Sequence, residues 1–187
     1  PKVEKNDTWA ALKKPGYCWY NNDQATYANT YGALYNWHTV NTGKLCPAGW
    51  HVPTDTEWKT LEIHLQNNGY NYDGSIDTDN DRLTNNKTAK SLASATNWKI
   101  SSETGAIGNI DYPEYRNKSG FTALPGGTRH NDGSFYDAGN TGYWWSSTET
   151  YNSTFAWNRY LIYNDPDVHL VGYVKEHGLS IRCLRDN

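Results

Sequence analysis

Tryptophan and tyrosine supply most of the bulk in this chain: 9 Trp and 15 Tyr stand beside only 3 Phe and no Met in 187 residues. A chain that only had to fill a core would draw on Leu, Ile, Val, Phe and Met. Trp and Tyr join a large apolar area to a polar tip, so they suit positions that are half buried and half wet. Paratopes combine Tyr with Asn, Ser, Gly and occasional Trp and Arg for that reason. All of these are abundant here, which points to a recognition surface. The alternative is that the rings fill the core of a loop-rich domain, and both uses are expected together.

The length suits one sizeable core and one domain. We read residues 1–16 as an N-terminal extension or first strand and residues 17–187 as the domain proper. A net charge of -3 and a pI near 6.1 argue against nucleic-acid binding. No apolar run reaches the roughly 18 residues of a membrane span. The chain opens Pro1-Lys2-Val3 without an initiator Met, as expected of a processed or trimmed form. Of the three cysteines, Cys18, Cys46 and Cys183, none forms a C-x-x-C pair, and the odd count allows one disulfide and one free thiol. The six histidines share no spacing and contain no H-E-x-x-H; they are expected in loops or on the surface.

The first half reads as helices and loops. Thr54-Asp55-Thr56-Glu57 is a capping box after Pro53. Trp58, Leu61 and Leu65 then share one face of a helix expected over Thr54–Gln66. Weaker helices are expected over Ala25–Trp37 and Thr88–Ser94. The second half reads as strands: Phe121–Leu124 ending in a Pro-Gly-Gly turn, Tyr143–Thr148, Phe155–Tyr163, Val168–Val174, and a last strand pointing Leu179, Ile181 and Cys183 one way. Helices first and antiparallel strands second make an α+β fold. Trp50, Trp58 and Trp98 are expected in the core. Trp144 and Trp145 must face opposite sides of their strand, with at least one of them core. Arg159 alternates with large rings; stacking on Trp157 or Tyr163 and service on a recognition surface both remain open.

Asp77, Asp79 and Asp81 offer alternating oxygen ligands for calcium. An EF-hand loop would need Gly at its sixth position and Glu at its twelfth, where Arg82 and Thr88 stand. A solvated acidic loop is the preferred reading. Calcium is the only cofactor left open.

Four segments occur in a telling order: Leu45-Cys46-Pro47-Ala48-Gly49-Trp50-His51-Val52-Pro53-Thr54, Gly120-Phe121-Thr122-Ala123-Leu124-Pro125-Gly126-Gly127, Trp144-Trp145-Ser146-Ser147-Thr148-Glu149 and Leu179-Ser180-Ile181-Arg182-Cys183-Leu184-Arg185-Asp186. Together they resemble the Fibrobacter succinogenes major paralogous domain family, from about Tyr17 to Asp186. That family is common in secreted and lipid-anchored proteins of gut Bacteroidetes. The resemblance implies a C-type-lectin-like fold related to the formylglycine-generating-enzyme superfamily. It implies an extracellular or cell-surface location, with room for a lipid anchor upstream. The oxidases of that superfamily use a close pair of reactive thiols near the C-terminal end, and Cys183 has no such neighbour. A non-catalytic protein is therefore expected, with Cys46 and Cys183 as a structural bridge and Cys18 unpaired.

In the C-type-lectin-like fold the last strands and their loops form the ligand face. Variable proteins of diversity-generating retroelements share the fold and vary at Asn codons there. The mixture between Tyr151 and His177 looks like such a set, although drift of an ordinary polar hairpin is the preferred account of its origin. The expected binding face comprises Asn152, Trp157, Asn158, Tyr160, Ile162, Asn164, Asp165, Asp167, His169, Val171 and Tyr173, with Ala156, Asn158, Tyr160 and Ile162 pointing outward from their strand. Its partner would be a protein or a glycan at the cell surface. The competing readings are a carbohydrate-binding module, a structural domain of a surface or pilus-like assembly, and an enzyme.

Overall fold

The structure is a computed structural model and describes residues 1–78 and 86–186. Its chain order is α1 (Asn6–Ala10), β1 (Tyr17–Cys18), α2 (Gln24–Tyr31), β2 (Leu34–Tyr35), α3 (Trp37–Val40), β3 (Trp50–His51), α4 (Asp55–Asn67), α5 (Ala89–Leu92), β4 (Gly126–Arg129), β5 (Phe135–Ala138), β6 (Thr141–Glu149), β7 (Phe155–Ile162), β8 (His169–Val174) and β9 (Leu184–Arg185). Helices dominate the first half and antiparallel strands the second, which is an α+β architecture. The largest sheet has the order β6-β7-β8, and three two-stranded ribbons, β1-β2, β3-β9 and β4-β5, surround it.

The capping box forms as expected. Thr54 Oγ1 accepts from the Glu57 amide at 3.2 Å, and the Glu57 carboxylate accepts from the Thr54 amide at 2.8 Å. Such a cap stabilises a helix by about 1 kcal/mol. Trp58 and Leu65 of α4 then pack with Trp144, Leu161, Ile107 and Val168 in one core cluster beneath the sheet. On the opposite sheet face Tyr143, Trp145 and Ala156 pack with Trp37, Val40, Val52 and Leu179. Trp144 and Trp145 are thus both core, one in each cluster. A third cluster joins Val3 and Trp9 of the first 16 residues to Cys18, Tyr20 and Leu34.

Several local expectations are corrected. The helix expected to reach Trp37 stops at Tyr31, because Gly32 turns away with φ 72° and the chain pairs as β2 before α3 begins. Phe121–Leu124 is not a strand, and Ala123 makes only an isolated parallel bridge to Ala93. The glycine pair that reads as a turn lies inside β4. At Gly127 a side chain would come within 2.5 Å of the Tyr136 carbonyl, so glycine serves close strand approach there. Leu179 and Ser180 form isolated bridges to Tyr35 and Trp144, and only Leu184–Arg185 continues as a strand, paired with β3. Trp50, expected in the core, is 45% exposed on that outer ribbon.

The outward face assigned to β7 is also corrected. β7 is the central strand, covered on both sides, so Ala156 and Asn158 are fully buried along with Arg159 and Leu161. Arg159 stacks on neither neighbour. Its guanidinium pairs with Glu62 and Asp55 of α4.

Cys46 and Cys183 are bonded, with Cα atoms 5.9 Å apart across 137 residues of sequence, and Cys18 is a buried free thiol. Burial pushes the Cys18 thiol up to about 11. Iodoacetamide at pH 8 is therefore expected to label no cysteine in the native protein and only Cys18 after unfolding without reductant. Labelling of native Cys18, or of two further thiols without reduction, would contradict this arrangement.

Candidate functional site

In a sheet, residues directly opposite each other share a face. The register pairs Tyr143 with Tyr160, Tyr160 with His169, Asn158 with Val171, Ala156 with Tyr173, and Thr141 with Ile162. Six of the eleven sequence-expected residues, Asn158, Tyr160, Ile162, His169, Val171 and Tyr173, thereby fall on one face. Trp157 belongs to the opposite face, paired with Gly172. Asn164, Asp165 and Asp167 lie in the β7–β8 turn, and Asn152 lies in the loop before β7. The length of β7 separates Asn152 from that turn by roughly 25 Å, so the eleven do not form one surface. Asn158 is buried, its amide donating to the Val171 carbonyl at 2.9 Å. It orders the sheet and cannot meet a ligand.

What the face does carry is a continuous run of rings. His169 stacks on Tyr160 with centroids 4.5 Å apart and planes 13° apart. Tyr160 neighbours Tyr143 at 5.7 Å, and Tyr143 neighbours Tyr173 at 5.9 Å. Tyr173 then meets His177 at 4.8 Å, His177 meets His130 at 4.9 Å, and His130 meets Tyr136 at 4.5 Å. The run crosses all three strands of the sheet and ends on β5, where Tyr136 is 46% exposed. Tyr143 is the buried link of the run, between Tyr160 and Tyr173, and donates to Asp137 Oδ2 at 2.9 Å. Tyr160, Tyr173, His130, His169 and His177 are half-buried.

A carboxylate flanks each end. Asp165 Oδ2 lies 3.2 Å from His169 Nε2, and this contact, ahead of the opposing effect of burial, holds the Asp165 carboxyl below the usual range. Burial and the neighbouring Asp165 push the Asp167 carboxyl up. At the other end Asp137 holds Tyr143, whose hydroxyl burial drives far above its ordinary range. The rings beyond the His169–Tyr160 stack are tilted to one another, so the half-buried band offers apolar area with carboxylates beside it.

The sequence reading missed Tyr136, His130, Tyr143, His177 and Asp137. Only the alternation of Tyr143 with Trp145 marked a shared face. The histidines have no common spacing because two separate turns bring them together.

His177 allows a pH test. Burial, with His130 beside it as the second cause, lowers its pKa from 6.5 to about 4, and Nδ1 has no hydrogen-bond partner. The unfolded chain therefore takes up the proton first on acidification. Stability contributed by neutral His177 is fully present above pH 6.5 and is lost as the pH falls towards 4, by up to about 3 kcal/mol. A His177→Gln variant is expected to lose that part of the acid dependence in urea titrations at pH 7, 5.5 and 4. Parallel curves for the two proteins would refute it.

Of the expected calcium ligands, Asp79 and Asp81 lie outside the described residues. Asp77 is buried, and its amide donates to the Gln66 carbonyl at 3.2 Å. Among the described residues no group of three or more His, Cys, Asp or Glu side chains is placed to hold a metal ion, and no helix is long and apolar enough to cross a membrane.

A family model described as the Fibrobacter succinogenes major domain matches residues 1–185. No curated protein and no solved structure matches the chain.

Proposed function

We propose that this chain, which belongs to the Fibrobacter succinogenes major domain family, is a non-catalytic binding module of C-type-lectin-like fold that recognises a protein or glycan outside the cell. The observation that carries the reading is the run of rings from His169 to Tyr136 across one sheet face. A core alone does not require imidazoles and phenols in sequence with an exposed tyrosine at the end. Recognition surfaces use such rings because they offer area with few rotatable bonds. The Cys46–Cys183 bridge supports export, since disulfides persist in oxidising compartments. The buried amide of Asn158 narrows any diversified set to its neighbours, because change at that position would repack the sheet.

A combined glycan and protein array tests the proposal. Tyr136→Ala and His169→Ala are expected to weaken the captured ligand by tenfold or more, about 1.4 kcal/mol each. Their melting temperatures should stay within a few degrees of the parent. A glycan hit would make the band a stacking platform for sugars, and a protein hit a conventional interface. Binding indifferent to both substitutions would remove the ring face from the function.

A further inference from the structure

A second site lies away from the ring band and shares no residue with it. Pro53, Trp58 and Leu61 around the start of α4, Phe121, and Leu184 of β9 enclose a cleft of about 270 Å³, with Arg182 on its wall. The cleft is mostly apolar, and its aromatic wall is braced: Phe121 sits 5.8 Å from Trp58 and 6.0 Å edge-on to Trp144.

Its charge is unbalanced in a specific way. The Arg182 guanidinium lies 4.5 Å over the Phe121 ring, and its Nη2 donates to the Phe121 carbonyl. Among the described residues no carboxylate forms an ion pair with it. The side chain stays exposed at the wall of the cleft, and its partial burial is the sole influence that pushes its pKa down. Glu57 also borders the cleft, but its carboxylate is committed to His51 at 2.9 Å and to the Thr54 amide and hydroxyl, both at 2.8 Å. Trp58 is only 4% exposed, so its ring forms a fixed wall of the cleft. The Cys183 bridge to Cys46 pins the segment that carries Arg182 and Leu184. Apolar walls beside a guanidinium that no described carboxylate pairs call for one ligand chemistry.

We propose that this cleft binds a carboxylate on a small apolar body, the anion paired with Arg182 and the body lying against Trp58, Leu61 and Phe121. Such a group could be a free aryl or branched-chain acid or the C-terminal residue of a peptide. The chemistry at the cleft is the same for both.

Isothermal titration at pH 7 with phenylacetate and its neutral isostere 2-phenylacetamide tests this. Phenylacetate is expected to bind with Kd around 1 mM, fitting a ligand of this size, and the amide at least tenfold more weakly. Arg182→Gln should weaken phenylacetate about tenfold and leave the amide unchanged. Leu184→Trp, at an exposed rim position, should block both ligands and keeps the test decisive if the Arg182 variant does not fold. N-acetyl-L-phenylalanine binding more tightly than phenylacetate would identify a peptide C-terminus as the source, and weaker binding a free acid. Equal affinity for acid and amide, wild-type affinity in Arg182→Gln, indifference to Leu184→Trp, or no phenylacetate binding up to about 10 mM would each overturn the proposal. None of these outcomes bears on the ring band, so the two sites fail or stand separately.

Discussion

Replacing Arg159 with alanine is expected to cost about 4 kcal/mol and to lower the melting temperature by roughly 10–15 °C. The side chain is 1% exposed and reaches from the central strand into α4. Its Nε donates to Glu62, itself 3% exposed, and its Nη1 donates to Asp55 Oδ1 at 2.7 Å. Truncation takes the guanidinium away from a carboxylate that stays buried, and breaking one side of such a pair costs far more than replacing both. Arg159→Met combined with Glu62→Leu is therefore expected to recover most of the loss in chemical denaturation. A single variant costing under about 1 kcal/mol would show that the pair is not what fastens helix to sheet.

Arg129→Ala is the second large effect, again about 4 kcal/mol, and it acts on the N-terminal segment. Arg129 is fully buried between the rings of Trp9 and Phe135, 4.5 and 4.8 Å from its guanidinium carbon. It donates to the carbonyls of Val3 at 2.6 Å, Glu4 at 2.8 Å and Gly133 at 3.0 Å, and to Asn6 Oδ1 at 3.0 Å. No other residue type offers this fork of donors, so Arg129→Lys should recover about half the loss at most. With alanine the first 16 residues lose their common anchor. Limited trypsin digestion should then cut after Lys13 under native conditions, and Cys18 beneath the anchor should become open to alkylation. Unchanged proteolysis with an unchanged melting temperature would refute this role.

Both arginines show where sequence reasoning ends. The pattern around Trp58, Leu61 and Leu65 was enough to place α4 to within a residue, because a capping box and an apolar face are local properties. It could not say why the acidic Glu62 sits within that buried face. The answer lies 97 residues away on β7. Arg159 itself read as a surface or stacking residue because strand alternation reports two faces but not which of them is covered.

The binding face was legible in the same partial way. The β7–β8 pairing follows from two apolar-rich strands about a turn, and it brings Tyr160, His169 and Tyr173 onto one side. His130, Tyr136 and Asp137 arrive from a separate ribbon, and His177 follows β8, so no spacing in the chain connects them. Family resemblance carried the Cys46–Cys183 pairing, which composition left undecided among three cysteines.

The sequence by itself determined the α+β class, the capped helix, the positions of β6, β7 and β8 along the chain, the β7–β8 hairpin and the family. Each of these rests on short-range periodicity, caps or ordered motifs. Only the tertiary structure decided that β7 is central and buried on both faces, that two arginines anchor the core, and that rings from three strands and a neighbouring ribbon form one band. These depend on which elements meet across long stretches of chain. Burial and pairing energies set those meetings, acting between residues that the linear pattern leaves far apart.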